Sequence, residues 1–181
     1  MSTLNRRTIL SIVPLLVSFA SPASFASEAV RAAEEDSIRE AVFRHQFQYN
    51  ASGQRQHANA YCLSIRSADK NTDPSDEFMK RFYGQTPPVR KGSECHWTQA
   101  HVVENRTGKP ALIFSISKIT WVSDTEVIVD GGYAEAGLSS SGNTYTVKKR
   151  DGKWTVTEDR MDWISKDDSS HQPLGRCLFG T

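Results

Sequence analysis

The chain lacks the features that assign many proteins to a class at once. Lys and Arg total 22 against 21 for Asp and Glu, and no basic run concentrates the positive charge. Nucleic acid is therefore not an expected partner, because phosphate binding needs a dense positive surface. The three Cys and five His residues have no compact ligand spacing, so we expect no metal site and no cofactor. No run of about 20 apolar residues is present, so we expect no permanent membrane anchor.

The N-terminal segment is the most informative part of what is there. An apolar run at residues 9–19 follows Arg6 and Arg7, and a small–aromatic–small triplet ends at Ala26. This arrangement is typical of an export signal that is cleaved after Ala26. The arginine pair suits a twin-arginine route as well as the ordinary secretory route. We therefore expect a periplasmic or secreted bacterial protein whose mature chain starts at Ser27.

The remaining chain has the length of one domain, which we place at residues 27–165, followed by a polar tail at 166–181. Its three cysteines are Cys62, Cys95 and Cys177. Export favours one disulfide among the three pairings that they allow. We favour Cys62 with Cys95, because both lie near strand-like segments.

Two helices are predicted in the first half of the chain. Ile38, Val42 and His45 share one helical face with Tyr49, which predicts a helix over residues 28–49. A second, short helix is predicted to start at Asp73, which suits an N-cap and is followed by proline.

The pattern changes to strands from residue 94 onward. Short turns join the strand-like segments, and short turns require antiparallel neighbours, so a β-meander is predicted. Gly131 and Gly132 lie in mid-strand, where a bulge or sharp bend is the usual reason for glycine. The predicted strands are residues 94–104, 111–122, 126–137, 143–150 and 153–164.

Residues 145–156 combine an aromatic strand, an Asp-Gly turn and a returning Gly-Lys-Trp strand. This hairpin resembles the last hairpin of the nuclear transport factor two-like superfamily, a cystatin-like α+β fold, and in particular its exported bacterial members. The resemblance covers about residues 30–165. It implies a cone, in which the long N-terminal helix and the short second helix pack in the concave face of a curved antiparallel meander. A small antiparallel β-barrel is the alternative fold.

The candidate site residues are His45, Tyr133 and Glu135. His45 lies on the apolar face of the first helix, and histidine is a common acid or base in protein pockets. Tyr133 and Glu135 share a strand face after the glycine pair, on the strand that lines the cavity in the resembling fold. If the bulge shifts this face by one residue, Asp130 takes the place of Glu135. The stretch from Asp159 to Asp162 is predicted to be a solvated strand edge.

The superfamily contains both enzymes and non-catalytic binding domains, so the fold does not deliver the function. No catalytic residue set of the superfamily matches this sequence, and none is carried over. We therefore predict a non-catalytic domain that binds a small apolar or aromatic ligand. The alternative is an acid–base enzyme of the isomerase or dehydratase type, with Glu135 or Asp130 as its carboxylate. The outer sheet face is a candidate surface for a homodimer.

Overall fold

The computed structural model describes residues 22–51, 57–67, 70–136 and 139–165. Within these ranges the long helix α1 is followed by strands, a short helix α2 and a 3-10 turn at Gly92–Glu94. The helices are α1 (Pro22–Tyr49) and α2 (Asp76–Lys80). The strands are β1 (Ala60–Ser67), β2 (Lys70–Thr72), β3 (Val89–Lys91), β4 (Cys95–Trp97), β5 (Val102–Glu104), β6 (Ala111–Ser123), β7 (Glu126–Ala136), β8 (Ser139–Arg150) and β9 (Lys153–Ile164). The predicted polar tail and most of the predicted export signal lie outside the described residues.

The main sheet is mixed and open, with the strand order β2-β1-β6-β7-β8-β9 and with β3 beside β1. Strands β6 to β9 form the predicted antiparallel meander. The prediction of a wholly antiparallel sheet is wrong at β1, which runs parallel to both β6 and β3. The α+β class is confirmed, and the barrel alternative is wrong because β9 and the β2–β3 side remain as separate edges.

The predicted strand at residues 94–104 is also wrong as a member of the meander. It is two short strands, β4 and β5, which form a separate antiparallel pair. The chain reverses between them because the Thr98 hydroxyl accepts hydrogen bonds from the backbone N–H groups of Ala100 and His101. This side-chain turn ends the first strand after three residues.

Helix α1 ends at Tyr49 as predicted and begins earlier than predicted, at Pro22. Its side chains are described from Val30 onward. Ile38, Val42 and Phe43 are fully buried against one face of the main sheet. Neither helix in the described ranges carries an apolar stretch sufficient to cross a membrane.

The N-cap of α2 lies two residues after the predicted cap at Asp73. The hydroxyl of Ser75 is the N-cap acceptor and receives the backbone N–H of Phe78 at 3.1 Å. Asp73 instead accepts a hydrogen bond from the backbone N–H of Ser93 at 2.9 Å. The buried rings of Phe78 and Phe82 make edge-to-face contacts with Phe43, which packs α2 against α1.

The opposite face of the sheet carries a second, smaller core. The β4–β5 pair covers β1 and β6 there, and Cys62 and Cys95 form the favoured disulfide between β1 and β4. Ala60, Val102 and Ala111 complete this core. The β1–β6 half of the sheet is therefore covered on both faces.

The glycine pair has a different role from the predicted one. The extra residue of the bulge lies on β6, where the pairing with β7 skips from Ile116 to Lys118. A side chain at Gly131 would place its Cβ 3.1 Å from Nε2 of Gln46 and 2.5 Å from the carbonyl oxygen of Ser115. Glycine at position 131 thus allows the end of α1 to approach the sheet closely.

Candidate functional site

A network of polar side chains joins the C-terminal end of α1 to β8 and β9. Its centre is the carboxylate of Asp159 on β9. This carboxylate accepts hydrogen bonds from His45 Nε2 at 2.9 Å, from Asn50 Nδ2 at 3.0 Å and from Asn143 Nδ2 at 2.7 Å. The Asp159 carboxylate therefore joins one residue of α1, one residue just after α1 and one residue of β8.

The network continues from Asn50 into the core through Tyr145. The Tyr145 hydroxyl donates to Asn50 Oδ1 at 3.2 Å and accepts from Gln46 Nε2 at 3.1 Å. The Gln46 amide also lies 3.2 Å from the carbonyl oxygen of Ser115. Burial raises the pKa of the Tyr145 hydroxyl well above its ordinary value of 10.0, so this hydroxyl stays protonated and remains a donor near neutral pH.

This arrangement holds a helix end in place rather than presenting groups to a substrate. The donors on His45, Asn50 and Asn143 all converge on one acceptor of the protein itself. The His45 side chain is 20 % exposed, and its ring lies 4.7 Å from that of Tyr49. We therefore interpret the network as a polar clamp between α1 and the strands β8 and β9.

A cleft lies away from the polar clamp, where β7 ends close to the starts of β5 and β6. Its volume is about 460 Å³. Seven of its ten lining residues are apolar: Ala58, Ala100, Val102, Pro110, Ala111, Leu112 and Ala136. Its polar groups come from Glu135, His101 and Ser139. We call this space the Glu135 cleft.

Strand register explains how these polar groups meet. Glu135 is the extra residue of a bulge near the end of β7, because the pairing with β8 skips from Ala134 to Ala136. It is only 3 % exposed, and one of its carboxylate oxygens accepts a hydrogen bond from the hydroxyl of Ser139. His101 reaches the cleft because it forms an isolated antiparallel bridge with Ala136.

The structure separates the three predicted site residues. Glu135 lines the cleft, whereas Tyr133 is a buried member of the main core and does not line it. His45 belongs to the polar clamp. Asp130, the alternative to Glu135 as the site carboxylate, directly precedes Gly131 on β7. It accepts a hydrogen bond from the Thr144 hydroxyl at 3.4 Å. The predicted residues therefore do not share one cavity.

The prediction of a solvated edge is wrong at Asp159, whose side chain is only 19 % exposed. Sequence analysis also missed Gln46, Asn50 and Asn143. A usable signal was present in the pairs His45–Tyr49 and Gln46–Asn50, which are spaced four residues apart along the helix and lie near one another. Polar residues on the buried side of an amphipathic helix need partners, and for Gln46 and Asn50 the strands of the main sheet supply them.

Among the described residues, no group of three or more His, Cys, Asp or Glu side chains is arranged to hold a metal ion. No protein-family model, no curated protein and no solved structure matches the chain. Function must therefore be inferred from the chemistry of the cleft and of the polar clamp.

Proposed function

We propose that the protein is an exported, non-catalytic domain that binds a small apolar or aromatic ligand in the Glu135 cleft. The observation that carries this proposal is an open space of about 460 Å³ that is lined mostly by small apolar residues and has a buried carboxylate at one side. Ligand sites typically occupy about 300–1,000 Å³ and combine apolar walls with a few polar groups that fix orientation.

The small side chains in the walls support a binding role. Ala58, Ala100, Ala111 and Ala136 leave space that larger residues would fill. Protein interiors are otherwise close-packed, so a space of this size at the junction of three strands is open to a ligand. Burying the body of the ligand supplies roughly 25 cal/mol for each Å² of apolar surface. Glu135, Ser139 and His101 orient its polar end.

The proposal is tested by a thermal-shift screen with indoles, phenols, aromatic amines and aromatic acids. Ala100 lines the cleft and is exposed, so Ala100→Phe places a ring in the opening without disturbing the core. Thr125→Phe, in the exposed turn between β6 and β7, is the matched control. We expect compounds that stabilise the wild type and Thr125→Phe and that do not stabilise Ala100→Phe. A screen without any stabilising compound, or equal stabilisation of both variants, would refute the proposal.

Membership of the nuclear transport factor two-like superfamily, with a cone-shaped sheet around α1, is part of the same proposal. The long helix on one face of an antiparallel β6–β9 meander supports it. The register shifts along β6, β7 and β9 also support it, because bulges increase the bending of a sheet. An experimental structure in which β6 to β9 lie flat against α1 would remove this support.

Export is supported by the apolar run at residues 9–19 and by the disulfide, since disulfides persist in oxidising compartments. Cleavage after Ala26 would shorten α1 at its N-terminal end and leave the packed part, which starts near Ile38, intact. N-terminal sequencing of the protein from a periplasmic fraction should give Ser27 as the first residue. A cytoplasmic protein that retains residues 9–19 would contradict export.

The acid–base enzyme is the weaker proposal. The pair of His45 and Asp159 favours it, since a carboxylate that orients an imidazole is a common catalytic device. However, an acid and a base must reach the same reacting atoms, and neither residue lines the Glu135 cleft. An isomerase or dehydratase activity that is lost in both His45→Gln and Glu135→Gln would favour the enzyme.

A further inference from the structure

A second, smaller cleft lies between α1 and the region where β1 and β6 stop pairing. Its volume is about 180 Å³, which corresponds to roughly six water molecules at about 30 Å³ each. None of its lining residues lines the Glu135 cleft. Its charged lining residues are three cations, Arg39 from α1, Arg66 from β1 and Lys118 from β6, and one carboxylate, Glu35 from α1.

The strand pairing explains why the sheet opens here. The parallel pairing of β1 with β6 ends at Ile65 and Ile116. The bulge follows directly, because the register of β6 with β7 shifts between Ile116 and Lys118. The hydroxyl of Ser117 donates to the carbonyl oxygen of Asp130 at 3.1 Å, which fixes the bulged residue. The cleft is therefore built by the sheet itself and not by a loop.

The charges around this cleft are only partly compensated. Arg39 is ion-paired with Glu35 at 2.8 Å and with Asp36 at 3.1 Å, and its side chain is 20 % exposed. Within the described ranges, Arg66 and Lys118 have no carboxylate within ion-pair distance. The cleft thus presents two exposed cations beside a guanidinium that other side chains already hold in place.

We infer that this cleft binds the oxyanion group of a small molecule, a carboxylate or a phosphate, through Arg66 and Lys118. Arginine binds both groups through paired N–H donors, and lysine adds a compact positive charge. The charge of Arg39 is compensated by Glu35 and Asp36, so the anion is held by Arg66 and Lys118 alone. The volume admits an oxyanion with a short substituent and excludes a large anionic polymer from the cleft interior. This inference does not depend on the Glu135 cleft.

The test is an NMR titration of ¹⁵N-labelled protein with inorganic phosphate and, separately, with acetate at low ionic strength. We expect saturable shifts of the amides of Arg66, Ser117 and Lys118 with at least one of the two anions. The double variant R66Q/K118Q should bind about tenfold more weakly or worse, since both charged donors to the anion are removed.

The matched control is R150Q/K153Q, which removes two exposed cations next to the β8–β9 turn. It lowers the net charge by the same amount and should leave the binding unchanged. Saturation by phosphate alone identifies a phosphate site, and saturation by acetate alone identifies a carboxylate site. Linear shifts with both anions, or equal weakening in both double variants, would overturn the inference. The variant A100F should retain anion binding, which separates this result from the test of the Glu135 cleft.

Discussion

Replacing Tyr145 by phenylalanine removes a single oxygen from the centre of the polar clamp. Tyr145 is fully buried, and its hydroxyl accepts from Gln46 and donates to Asn50. Without this oxygen, Asn50 Oδ1 loses its donor, while the Gln46 amide keeps the carbonyl oxygen of Ser115 as an acceptor. A buried polar group without a partner costs about 1–3 kcal/mol. We expect the free energy of unfolding to fall by about 2 kcal/mol at pH 7.

Urea unfolding at equilibrium measures this difference, with the m-value checked for constancy. Tyr133→Phe is the matched control. Tyr133 is also a buried tyrosine of the core, and its hydroxyl has no hydrogen-bond partner in the part of the chain that the structure describes. We expect the control to change stability by less than about 0.5 kcal/mol, because no bond is lost.

The same variant makes a prediction at alkaline pH. Burial raises the pKa of Tyr145 in the folded protein above the ordinary 10.0. Above pH 10 the unfolded chain loses this proton while the folded protein keeps it, so stability falls as pH rises. The loss approaches about 1.4 kcal/mol for each pH unit. Tyr145→Phe lacks this loss, so the stabilities of the wild type and the variant should converge between pH 9 and 11.

Two exposed lysines, Lys80 and Lys91, also have a raised pKa in the folded protein because each is hydrogen-bonded to a carboxylate. They contribute equally to the wild type and the variant and cancel in the difference. If the difference in stability between the wild type and Tyr145→Phe stays constant from pH 8 to pH 11, the Tyr145 hydroxyl does not have a raised pKa in the folded protein. If Tyr145→Phe and Tyr133→Phe lower the free energy of unfolding equally at pH 7, the polar clamp does not stabilise the fold through the Tyr145 hydroxyl.

Three further predictions concern the glycine contact, the disulfide and one ion pair. Gly131→Ala should destabilise the protein by about 2 kcal/mol in urea unfolding, because its Cβ would lie 2.5 Å from a backbone carbonyl oxygen; an unchanged midpoint would argue against close helix approach. The double variant C62S/C95S should lose about 3–4 kcal/mol, since the bridge closes a loop across a separation of 33 residues; reduction of the wild type should reproduce that loss. Hydrogen bonds from Lys149 and from an indole N–H lower the pKa of Glu34, so its stabilisation is present above pH 4.5 and is lost as pH falls. Glu34→Gln should therefore lose less stability than the wild type between pH 5 and pH 3, and parallel acid unfolding curves would contradict this.

The helices and the meander were predictable because their signals are local. The face of Ile38, Val42 and His45 repeats with the period of a helix, and tight turns such as Asp151–Gly152 force antiparallel neighbours. The disulfide of Cys62 and Cys95 was favoured on similar local grounds.

The parallel pairing of β1 with β6 was missed because nothing in the intervening segment specifies which edge β1 takes. About 40 residues separate the two strands, and they include α2 and the β4–β5 pair. Across such a long connection, the partner of a strand depends on which arrangement buries both of its faces. The sequence alone does not specify this arrangement. The sequence of Ala60 to Ile65 fits an edge strand as well as the interior strand that the structure shows.

The candidate site was only partly predictable for the same reason. Glu135 was found because it follows the glycine pair on one strand face, which is a local pattern. The acceptor of His45 is Asp159, which is 114 residues away and lies in a stretch of charges that resembles a solvated edge. The spacing of residues along the sequence does not reveal a polar contact between distant segments. Asp159 was therefore predicted to be exposed, whereas the structure shows it mostly buried.

The two halves of the main sheet are packed to different extents, so we expect its strands to open in a defined order. β1 and β6 lie between α1 on one face and the β4–β5 pair on the other, whereas β9 is an edge whose second half, from Asp159 onward, is mostly exposed. Among β1, β6 and β9, amide protons should therefore exchange with solvent slowest in β1 and fastest in β9. Thermal opening of the molecule then begins at β9, and release of Asp159 frees the last turn of α1 before the disulfide-bridged half is disturbed.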